Sequence, residues 1–78
     1  MSISPGQVAA ARKLVRWTQL QLEYEASVGE GTVAHFETGK LMPSDRMISA
    51  IKSALEDAGI EFATGRKSVS LRKENSGL

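Results

Sequence analysis

TQLQLEYEASVGEGTVAHFETGK, residues 18–40, contains two helix-sized segments separated by a stretch that breaks the helical pattern. Thr18, with a glutamine three residues on at Gln21, has the capping-box spacing that starts a helix. That helix is predicted to end near Ala26. Ser27, Val28 and Gly29 then read as a tight turn. A further helix is predicted from about residue 30 to 38, with Val33 and Phe36 inward and Gly39 supplying the C-cap. Its opening, Gly29-Glu30-Gly31, is a poor helix start. Each glycine is expected to cost about 1 kcal/mol against a better helix former, less for Gly29 if it is the N-cap.

Working outward, Ser4-Pro5-Gly6-Gln7 has an N-cap serine, a proline at the first helical position and a glutamine three after the cap. Val8, Ala11, Leu14 and Val15 recur on one face, which predicts a first helix over about residues 5–15. After the central pair, Lys40 to Pro43 reads as a loop. Ser44 caps a fourth helix with Met47, Ile48, Ile51 and Leu55 on its inner face, and Gly59 lies just past its end. Beyond Gly59 the period changes from helical to alternating. Ile60 and Phe62 form one apolar pair and Val69 and Leu71 another, separated by the turn-forming Thr64-Gly65 and the basic Arg66-Lys67. A lone hairpin is marginal, so it should pack on the fourth helix or on a second subunit. Residues 74–78 read as a frayed tail. The fold class is therefore mainly α: four helices over residues 1–58, then a hairpin extension over 59–73.

At 78 residues the chain is one small domain near the lower limit for a self-sufficient core, a size at which dimerisation commonly adds stability. It has no cysteine, which excludes disulfides and thiolate metal sites. Neither a signal peptide nor a membrane span is expected, and the protein reads as cytoplasmic, with no membrane partner. Net charge is only +1, but its placement is uneven. No Lys or Arg lies between Gln19 and Gly39, a segment holding Glu23, Glu25, Glu30 and Glu37. The flanks carry Arg12, Lys13, Arg16, Lys40, Arg46, Arg66, Lys67, Arg72 and Lys73. His35 is the single histidine, and its spacing to Glu37 puts the two on different helix faces. No enzyme activity, metal, cofactor or small-molecule ligand is expected. Trp17 and Tyr24 read as hydrophobic anchors.

The string AARKLVRWTQLQLEYEASVGEGTVAHFETGKLMPS resembles the Xre family, the phage-repressor and Cro-like helix-turn-helix regulators, over about two-thirds of the chain. The residues that carry the likeness are Arg12, Trp17, Thr18, Gln19, Leu22, Val28, Thr32, Val33, Phe36, Glu37, Gly39 and Pro43. The resemblance implies a phage-repressor-like domain whose second and third helices form the helix-turn-helix. It also implies roles. Thr18 and Gln19, at a helix N-terminus, suit a phosphate oxygen, or simply cap the helix. Thr38 and Lys40 fall where the family's loop meets the DNA backbone, though Lys40 also reads as a solvated loop lysine. Thr32 fits a phosphate or thymine-methyl contact, or a local cap. Arg12 and Glu37 occupy positions that pair ionically in relatives. The base-reading positions fall on Glu30, Gly31 and His35, where glutamate can accept from cytosine N4, histidine can donate to guanine, and glycine reads nothing. Glu23 departs from the pattern, which has a small residue there, and unless it bends outward or finds a cation the motif should pack less tightly.

Two functions follow as expectations. The first is a sequence-specific DNA-binding regulator, a repressor acting as a homodimer on a two-fold operator, with Ile60, Phe62, Val69 and Leu71 as the candidate dimer element. The second is an antagonist of another regulator, binding a basic protein partner through the acidic face of Glu23, Glu25 and Glu30.

Overall fold

The computed structural model describes residues 3–40, 42–62 and 69–71. It is a small, mainly helical protein with a two-stranded antiparallel hairpin at its C-terminal end. The elements are α1 (Pro5–Leu14), α2 (Gln19–Ala26), α3 (Thr32–Glu37), α4 (Asp45–Asp57), β1 (Ile60–Phe62) and β2 (Val69–Leu71). The turn residues Thr64 to Lys67, the basic Arg72 and Lys73, and the tail 74–78 lie outside the described residues.

Three of the four helix starts have a local chemical cause. Ser4 and Gln7 form the complete capping box: the Ser4 hydroxyl accepts from the Gln7 N–H at 3.1 Å, and the Gln7 amide oxygen accepts from the Ser4 N–H at 2.8 Å. The second box is only half made. Thr18 Oγ1 accepts from the Gln21 N–H at 3.0 Å, but the Gln21 amide donates to Glu25 at 2.8 Å instead of reaching back. Ser44 caps α4 through the Met47 N–H at 3.3 Å.

The helix ends differ in cost. Gly39 (φ 80°) closes α3 in the left-handed region that glycine enters freely. Its N–H donates to the Phe36 carbonyl and that of Lys40 to His35 at 2.8 Å, the paired bonds of a Schellman motif. At the end of α2 the same task falls to Ser27 (φ 59°), whose N–H donates to Tyr24 at 3.2 Å while Val28 donates to Glu23 at 3.0 Å. A side chain there opposes the left-handed conformation by about 1 kcal/mol or more. Ser27→Gly is therefore expected to raise stability by about 0.5–1 kcal/mol, the relief exceeding the added freedom of the unfolded chain, as read by urea denaturation.

The core draws on every element. Ile3, Val8, Ala11, Leu22, Val33, Phe36, Ile51, Leu55 and Ile60 are buried together, with Val15, Trp17, Ile48, Phe62 and Val69 partly buried against them. Leu14 departs from expectation: it sits on the edge of the apolar stripe in the last turn of α1 and is 41% exposed. In the hairpin, Ile60 pairs with Leu71 and Phe62 with Val69. Ile60 is 1% exposed, buried in its own chain's core. Phe62 and Val69 also pack inward, so among the four only Leu71, 52% exposed, presents a substantial apolar surface. The hairpin belongs to the same core as the helices, and is not a free appendage.

Candidate functional site

The segment between α2 and α3 is longer than the predicted turn, because α3 begins at Thr32 and not at Glu30. Gly31 is its N-cap, with φ 90° and ψ −13°. The expected penalty for glycine inside the helix therefore does not arise at Gly31: the position lies outside the helix and requires a backbone conformation that L side chains rarely adopt. Gly29 is different. It has no positive φ, and a Cβ there would meet only the Thr32 hydroxyl, at an ordinary 3.6 Å. Gly31→Ala is expected to cost about 1–2 kcal/mol, and Gly29→Ala well under half of that, in parallel thermal melts.

A glycine N-cap has no side chain to offer, and Gly31 makes no side-chain capping bond. The carboxylate of Glu23, ten residues back on α2, takes over that task. Its Oε2 accepts from the Val33 N–H at 2.9 Å. Glu23 is 4% exposed, and its Oε1 is buried without a hydrogen-bond partner. It does not bend outward, and among the described residues it pairs with no cation; it points inward and caps α3 from inside the fold. That corrects the acidic face as read from sequence. Glu25 and Glu30 are exposed, whereas Glu23 contributes no surface charge.

The other end of α3 is tied to α1. Arg12 Nε and an Nη donate to the two oxygens of Glu37 at 2.9 and 3.1 Å, a two-pronged pair with side chains only 14% and 8% exposed. The second Nη of Arg12 donates to the Trp17 carbonyl at 2.9 Å, and Gln19 Nε2 donates to Glu37 Oε1 at 3.0 Å. One carboxylate thus fastens α1, the start of α2 and the end of α3. The Gln19 side chain turns toward this cluster, so at the start of α2 it is the backbone N–H that remains for an anion. Thr32 is also removed from the outer set: it is 7% exposed, and its N–H donates to the Gly29 carbonyl at 3.1 Å.

Thr18, Glu30, His35, Thr38 and Lys40 are all exposed. Thr18 caps α2 through an oxygen lone pair, which leaves its hydroxyl proton outside that bond. His35 lies over Gly31, with its ring Cε1 3.8 Å from where a Cβ would stand, so two of the three base-reading candidates are neighbours. Thr38 donates its hydroxyl to the Ala34 and His35 carbonyls at 3.1 and 3.2 Å. Among the described residues no three of His, Asp and Glu converge to hold a metal, and no helix is long and apolar enough to cross a membrane. The chain matches no protein-family model, and no curated protein is similar to it.

Proposed function

We propose that the chain is a sequence-specific DNA-binding regulator, a repressor acting as a homodimer on a two-fold operator, with α2 and α3 as its helix-turn-helix. One observation carries the reading. Arg12 of α1 and the inward charged and amide groups of α2 and α3 (Gln19, Glu23, Glu37) are consumed in holding α3, while exposed positions of the same stretch offer a hydroxyl, an imidazole, a carboxylate and an ammonium group. Such a division suits a backbone-tracking surface: Lys40 and the α2 N-terminus for phosphates, Glu30 and His35 for base edges. With one short helix reading only a few base pairs, useful specificity calls for two half-sites and hence two protomers. The burial of Glu23 works against the competing use of this surface as an acidic protein-binding face.

The test is a titration against the DNA upstream of the protein's own gene at two salt concentrations, with stoichiometry from sedimentation of the complex. Lys40→Ala is expected to weaken binding about tenfold and to reduce the log–log salt slope by about 0.9 for each phosphate lost. A folded protein that binds no DNA even at low salt would overturn the proposal.

A further inference from the structure

α1 closes with the paired bonds of a Schellman motif: the Arg16 N–H donates to the Lys13 carbonyl at 3.1 Å and the Trp17 N–H to that of Arg12 at 2.9 Å. Arg16 therefore lies in the left-handed region, at φ 60°. The corresponding positions after α3 and α4 hold Gly39 and Gly59, which enter that region freely. An arginine side chain opposes it, and this one returns nothing to the fold. The residue is exposed, and among the described residues its guanidinium makes no hydrogen bond or ion pair. Ser27 shares the conformation but carries no charge.

The placement of charge along the chain gives Arg16 a use. No Lys or Arg lies between Gln19 and Gly39, so cationic contacts to a phosphate backbone must come from the flanks. Past α3, Lys40 supplies one. Before α2 the basic residues are Arg12, Lys13 and Arg16. Arg12 is committed to Glu37, and Lys13 lies in the last turn of α1, where the helix dipole already favours a cation. Arg16 is left, two residues before the Thr18 cap of α2. Its backbone is held on both sides, because the carbonyl of Trp17 accepts from Arg12 at 2.9 Å.

We infer, on the regulator reading above, that Arg16 contacts a DNA phosphate beside the start of α2. The left-handed backbone then sets a trade-off at this position: glycine would strengthen the fold and weaken the complex.

A phosphate contact is blind to base sequence, so a random duplex of roughly 20 base pairs at low salt serves as the probe. Arg16→Gln keeps the backbone conformation and removes the charge. It is expected to leave Tm unchanged, weaken binding about fivefold and reduce the log–log salt slope by about 0.9. Arg16→Lys should retain most of the affinity. Arg16→Gly should combine the loss of binding with a Tm about 4 °C higher. If the unsubstituted protein binds and Arg16→Gln matches it in affinity and slope, Arg16 is no phosphate contact and the regulator reading stands. If the folded, unsubstituted protein binds no duplex at all, both are overturned.

Discussion

Glu37→Ala is expected to destabilise the protein by about 3–5 kcal/mol, the largest effect of any single change considered. The substitution leaves the Arg12 guanidinium largely buried with the Trp17 carbonyl as its remaining partner, and it strips the Gln19 amide of its acceptor. A chain of this length has a total stability of roughly 4–12 kcal/mol, so the variant should be substantially unfolded on mild heating or in low urea. Removing both charges is a different experiment. Arg12→Met combined with Glu37→Leu exchanges a desolvated pair for apolar packing and is expected to recover much of the loss. A single-variant effect under about 1 kcal/mol would mean that the pair behaves as a solvated surface bridge despite its geometry.

Glu23→Ala should cost about 2 kcal/mol, or roughly 10 °C in Tm for a domain of this size. Two terms oppose each other. Alanine removes the acceptor for the Val33 N–H at a site where Gly31 cannot replace it. It also relieves the buried, unpartnered Oε1. The first is expected to dominate, because a carboxylate–amide bond at a helix start is charge-assisted and the N–H left behind is buried. Glu23→Gln retains an acceptor and should lose less than half as much. A neutral or stabilising alanine would mean that the carboxylate is merely tolerated, and that the small residue of the resembled family is the better one here.

Much of the architecture was legible in local signals. Ser4 with Gln7, Thr18, and Ser44 located three helix starts because an N-cap acts over three residues, within one stretch of sequence. The alternation of Ile60, Phe62, Val69 and Leu71 located the hairpin for a similar reason. What escaped depended on partners distant in sequence. Glu23 reads as surface charge because its partner is a backbone N–H, identical at every residue and visible in no side chain. Gly31 reads as a defect in a helix because the sequence does not carry the sign of φ. Ile60 reads equally as packed on α4 or as dimer surface, and only the placement of β1 against α1 and α4 separates the two. The clamp of Arg12 and Glu37 came from the resemblance alone, since no spacing rule connects residues 25 apart.

α3 has six residues, too few to persist as a helix in isolation. It is secured from both ends by carboxylates, one reaching in from α2 and one reaching out to α1. Its local unfolding is therefore coupled to breaking a buried carboxylate–amide hydrogen bond and a largely buried ion pair, and the conformational entropy of this segment is lost during folding. A molecule that docks on Glu30, His35 and Lys40 meets backbone already ordered, so binding there is opposed mainly by the immobilisation of a few side chains.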